Sequence, residues 1–126
     1  MGLFDFFKRK KKDEEQKTTR DKYWSLITYD GEIENPTMEQ IKEAVKNANR
    51  NVSLFATLAY NHSELEIDSV QAMREEGVYR FEALTSDGII YVKNDISYEE
   101  TLEYFEHFFK YQRVAGYKSW PSEKYS

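Results

Sequence analysis

The spacing of apolar positions changes several times along this chain, and each change marks an element. Tyr23 to Tyr29 (Tyr-Trp-Ser-Leu-Ile-Thr-Tyr) is an unbroken run rich in β-formers and predicts a first strand. Asp30-Gly31 reads as a turn, and Glu32-Ile33-Glu34 as a brief return along an edge. The period then lengthens. Met38, Ile41, Ala44, Val45 and Ala48 recur at helical spacing. Asn35-Pro36-Thr37 opens that helix, with Thr37 and Gln40 spaced for a capping box, and the polar run 47–51 closes it. From Val52 to Tyr60 the pattern becomes apolar on both faces: Val52, Leu54, Ala56 and Leu58 on one, Phe55 and Ala59 with Ser53 and Thr57 on the other. That is expected of a central strand.

Glu64 to Ala72 alternates more openly, with Leu65 and Ile67 inward and Glu64, Glu66 and Asp68 outward. Met73 to Gly77 reads as a turn. Val78 to Leu84 sets Tyr79, Phe81 and Ala83 against Arg80 and Glu82, and Asp87-Gly88 is the strongest hairpin signal in the chain, with Ile89 to Lys93 returning. Ser97-Tyr98-Glu99-Glu100 has capping-box spacing and starts a last helix with Leu102, Phe105, Phe108 and Phe109 as its buried stripe. Gly116 is its expected stop, before an aromatic coil through Trp120 and Pro121. The order β-α-β-β-β-β-α predicts an α+β fold: a single antiparallel sheet of about five strands, with two helices packed on one face.

Charge divides the chain in two. Residues 1–22 carry eight Lys/Arg against five Asp/Glu, whereas the remaining residues carry ten against eighteen. The expected organisation is a basic amphipathic leader with a polar linker (1–22), then an acidic α+β domain (23–126). At 126 residues the chain suffices for one domain and one core, without disulfides or structural metal. It has no cysteine, which excludes disulfide frameworks, thiolate zinc sites and cysteine nucleophiles.

On a helical wheel Leu3, Phe4, Phe6 and Phe7 fall within an arc of about 160°, with Asp5 opposite. Lys8, Arg9, Lys10, Lys11 and Lys12 follow at once. These nine residues are the candidate membrane contact, apolar insertion plus basic attraction to anionic lipid. A frayed tail is the competing reading, because so short a helix is marginal in water. No run approaches the ~20 apolar residues that span a bilayer. The order of apolar and basic residues is not that of a secretory signal. The expected location is cytoplasmic, with peripheral membrane attachment as a variant.

Candidate chemistry is sparse. His62 falls in a turn and His107 on the last helix, without the spacing of a zinc site. Glu82 and Lys93 on adjacent strands are the one acid–base pair. Glu64, Glu66 and Asp68 at two-residue spacing read as a solvated strand face, as oxygen ligands for a divalent cation, or as an acidic stripe complementary to a basic partner. The stripe is the preferred candidate for partner binding. Neither a nucleophile elbow nor a phosphate or dinucleotide loop occurs, and an acidic body disfavours specific nucleic-acid binding. The expectation is a binding protein without catalytic, metal or cofactor residues, acting on neither a small-molecule substrate nor nucleic acid.

The layout Glu32-Ile-Glu-Asn-Pro-Thr37 before an amphipathic helix, then an apolar strand, then Gly77-Val-Tyr-Arg-Phe-Glu82, resembles a known pattern. With Ser97-Tyr-Glu-Glu-Thr-Leu102, Phe105, Phe108-Phe109 and Trp120, it is similar to the immunity proteins of bacterial polymorphic-toxin systems, most of all to the family associated with deaminase toxins. The likeness runs from Tyr23 to Trp120, and the leader has no counterpart in it. It implies a non-catalytic cytoplasmic inhibitor whose partner is a cognate toxin domain, bound and occluded. Asn35-Pro36, Tyr79, Glu82 and Trp120 match pattern positions as fold-setting residues. A peripheral membrane adaptor, recruited by the leader, is the alternative.

Overall fold

A computed structural model describes residues 21–48 and 55–124. The elements are β1 (Tyr23–Thr28), β2 (Gly31–Glu34), α1 (Met38–Asn47), β3 (Ala56–Asn61), β4 (Ile67–Glu75), β5 (Val78–Thr85), β6 (Ile89–Ile96), α2 (Tyr98–Tyr111), a 3₁₀ turn (Tyr117–Ser119) and β7 (Ser122–Lys124). The strands form one antiparallel sheet in the order β2-β1-β3-β4-β5-β6-β7. The α+β class, the antiparallel pairing and the two helices agree with the sequence reading. The sheet has seven strands rather than about five, because the short edge segment 31–34 and the C-terminal segment 122–124 both pair.

Among the described residues both helices lie on one face, which holds the core. Leu26, Ala56, Leu58, Val70, Ala72, Tyr79, Phe81 and Ala83 from the strands meet Ile41, Val45, Phe105 and Phe108 from the helices. Phe81 lies at the centre, edge-on to Phe105 (5.6 Å) and stacked near Tyr104 (4.9 Å). Trp24 performs the same role over β1, stacked on Tyr60 at 4.2 Å and edge-on to Phe108 and Phe109. Tyr79 buries its ring and donates its hydroxyl to the Val45 carbonyl (2.9 Å), satisfying a group at the end of α1. Burial pushes the Tyr79 phenol above its ordinary value, because the ionised form is the one desolvation penalises.

The local signals mostly form as their chemistry requires. Thr37 caps α1: its Oγ1 accepts the Gln40 amide (3.2 Å), and the Gln40 side chain accepts the Thr37 amide (2.9 Å). Asn35 adopts a left-handed conformation (φ 50°) and ties the entry to β1, its amide to the Trp24 carbonyl and its side chain to the Trp24 amide. At α2 only half of the box exists. Ser97 Oγ accepts the Glu100 amide (3.0 Å), but the Glu100 carboxylate turns away to Lys93 (3.5 Å).

Several boundaries differ from expectation, among them the start of β4 at Ile67 and the end of β6 at Ile96. β4 continues through Met73 and Arg74 to Glu75, so the turn is only Glu76-Gly77, both at positive φ. Helix α2 stops at Gln112, itself left-handed, and Gly116 instead opens the 3₁₀ turn. β3 starts at Ala56, and the expected start at Val52 lies outside the described residues. Ala56 to Ala59 are all buried, as a strand between β1 and β4 requires.

Candidate binding surface

The alternation that points Leu26, Leu58, Ala72 and Phe81 at the helices sends their neighbours to the opposite face of the sheet. That face carries a hydrogen-bonded ladder running across the strands. Thr57 Oγ1 on β3 donates to Gln71 Oε1 on β4 (2.8 Å), and Gln71 Nε2 donates to Glu82 Oε1 on β5 (2.8 Å). Arg80 Nε donates to Glu82 Oε2 (2.7 Å), and its Nη2 reaches the Glu123 carboxylate on β7 (3.4 and 3.5 Å). A second group lies on β2, β1 and β3: Ser25 Oγ donates to Glu32 and accepts from Asn61 Nδ2 (2.7 Å).

Register explains the ladder. Gln71 lies opposite both Thr57 and Glu82, so three polar side chains line up perpendicular to the strands. Each fixes the rotamer of the next. Arg80 is held cationic, its guanidinium pushed further up chiefly by the hydrogen bond to Glu82. Among the described residues this face carries Glu32, Glu34, Glu75, Glu82 and Glu123 with Arg80, a clear excess of negative charge. Interleaved with them are apolar side chains: Ile27, Ala59, Met73, Leu84, Ile90 and Val92.

The residues singled out from sequence are distributed differently. Glu64 and Glu66 lie in the loop before β4 and only Asp68 is on the strand, so the three do not share one strand face. Glu66 is engaged within the molecule. Its carboxylate accepts the Tyr117 hydroxyl and pairs with Lys118 (3.5 Å), while its backbone oxygen accepts the Ser86 amide (3.0 Å). Burial, then this bond to Glu66, push the Tyr117 phenol upward. Ser69 Oγ approaches Asp68 Oδ1 at 3.4 Å. Among the described residues no three His, Cys, Asp or Glu converge to hold a metal.

Glu82 and Lys93 do not meet. Lys93 pairs opposite Phe81, which puts it on the helix face. There its ammonium lies over the Trp120 and Tyr104 rings (5.4 and 5.7 Å), and the bond to Tyr104 is the largest influence raising its pKa. This contact fastens the C-terminal segment: Trp120 also packs edge-on to Phe81 and Tyr104. His62 contacts the Tyr23 ring (5.5 Å), and the exposed His107 lies against Tyr111 (5.5 Å). The membrane-contact candidates Leu3, Phe4, Phe6, Phe7 and Lys8 to Lys12 lie outside the described residues. Among the described residues no helix is long and apolar enough to cross a membrane.

A cavity of about 450 Å³ opens beside the β4–β5 turn, lined by Glu75, Glu76, Val78, Tyr79, Arg80, Asn94 and Asp95. Arg80 links it to the ladder. Comparison with protein-family models, curated proteins and solved structures finds no match to this chain.

Proposed function

We propose that this protein is a non-catalytic inhibitor of the immunity type, which binds a basic toxin domain and covers its active site. The observation that supports this reading is the acidic ladder. Its carboxylates are held in fixed rotamers by hydrogen bonds, so less side-chain entropy is lost when a cationic surface meets them. An excess of negative charge on one broad face also accelerates encounter with a basic partner and rejects acidic ones. An inhibitor of this kind needs complementarity rather than a reactive group. Toxins that attack nucleic acid, the partner class that the resemblance implies, are commonly basic around their sites, because their substrate is a polyanion.

The reading predicts a toxin gene beside its own, and co-expression with that toxin domain is the direct test. Protection of the cells, together with a one-to-one complex whose association rate falls as salt rises, is the expected result. Survival no better than without the protein ends the reading.

A further inference from the structure

β6 is a long strand beside a very short one. β7 pairs only with Ile89, Ile90 and Tyr91, and the Pro121 carbonyl accepts the Val92 amide (2.9 Å). Beyond that point β6 runs on to Ile96. The segment that carries β7 adds no fully buried side chain: from Ala115 to Lys124 every residue is exposed or half-buried. Besides the strand pairing, side chains hold it. Trp120 lies in a slot edge-on to the Phe81 and Tyr104 rings, with the Lys93 ammonium 5.4 Å away. Glu123 reaches Arg80, and Tyr117 and Lys118 both reach Glu66. The opposite edge is built differently. β2 follows β1 through a two-residue turn, and Asn35 behind it is bonded to Trp24 through backbone and side chain. β7 can therefore leave the sheet without dismantling the core, whereas β2 cannot.

We propose that residues 117–124 form a releasable strap over a docking site for an extended segment of a partner protein. The strap fills that site from within the chain and so displays what the site accepts. An aromatic ring enters the slot between Phe81 and Tyr104. The residue after it offers its carbonyl to Val92, and those that follow add a strand to β6. A carboxylate three positions beyond the ring meets Arg80. The partner segment is accordingly an aromatic residue followed by an extended, acid-bearing stretch, recognised by strand addition with a side-chain anchor. Tethering gives the strap a high effective concentration, so a partner gains the site in proportion to how often the strap opens. The site is at the edge of the sheet, and the inference does not depend on the inhibitor reading.

The Val92 amide reports the strap, because its acceptor belongs to Pro121. In the full chain, hydrogen exchange at Val92 is expected to be at least ~10-fold faster than in the inner strand β4. Equal rates in the two places, which mean that Val92 opens only with the whole domain, overturn the proposal. Trp120→Ala should speed exchange at Val92 further. A synthetic peptide with the sequence of residues 115–124 is the probe, and it should restore protection of Val92 in the Trp120→Ala chain. The same peptide carrying Trp120→Ala should not. Failure of the first peptide to protect Val92, or equal protection by both, overturns the docking site. Trp120→Leu replaces Trp120→Ala in these measurements if the smaller side chain prevents folding. Protection of Val92 in the unaltered chain that rises with protein concentration would mean that a second copy supplies the strand, and that too overturns the proposal.

Discussion

Phe81 and Glu82 are neighbours in the chain and opposites in the fold. Phe81 enters a dry cluster of rings beneath α2, where it is fully buried and touches three other aromatic side chains. Glu82 emerges on the other side into a chain of directional bonds. One face of the sheet is stabilised by area and shape, the other by register and charge. The helix face sets whether the domain folds, and the ladder sets the charge that the folded domain displays on its other face.

That contrast is easiest to break at these two positions. Phe81→Ala should cost about 3–5 kcal/mol in urea denaturation, through lost transfer energy plus an unfilled cavity. Glu82→Ala should cost less, about 1–3 kcal/mol, because Gln71 and the partly exposed Arg80 lose a partner but water replaces some of it. Equal costs would erase the distinction between the faces.

Tyr79→Phe removes one buried hydrogen bond, about 1 kcal/mol, and also tests a pH dependence. The folded phenol titrates above the ordinary 10.0, so it binds its proton more tightly folded than unfolded. Its contribution is therefore complete below pH 10 and is lost as pH rises through the raised value. Tyr117 and Lys93 are shifted in the same sense. Stability should fall above pH 10, and Tyr79→Phe should make that fall shallower; an unchanged slope would contradict the assignment. The smallest effect belongs to Lys118→Ala. Its exposed pair with Glu66 should contribute about 0–1 kcal/mol, less at high salt.

Much of the helix face was legible in the sequence because its signals are local or strictly periodic. Thr37 with Gln40, Asp87-Gly88 and the Phe105–Phe108 stripe depend on residues a turn apart. The alternation Tyr79-Phe81-Ala83 depends on period two. The edge return at Glu32–Glu34 was read correctly as β2 but left out of the strand count, whereas β7 was harder, since a three-residue strand exists only through its neighbour's hydrogen bonds. Ser97-x-x-Glu100 misled by half: the spacing for a box is present, but Lys93 competes for the carboxylate. On the open face Glu82 alternates as expected, but the irregularity between Ile67 and Ser69 shifts the phase of β4 and turns Gln71 outward, against the alternation read from Leu65 and Ile67. Nothing local says that Gln71 and Glu82 lie opposite one another. The Tyr117–Glu66 contact joins residues 51 apart, beyond any local pattern.

The outermost strands carry a last consequence. An open sheet exposes two rims on which another chain can template itself into a fibril. Here one rim is β2, four residues with two glutamates, and the other is β7, three residues behind a proline. Shortness and charge make both poor seeds for runaway stacking. The seven described strands can thus stay unclosed and still resist aggregation.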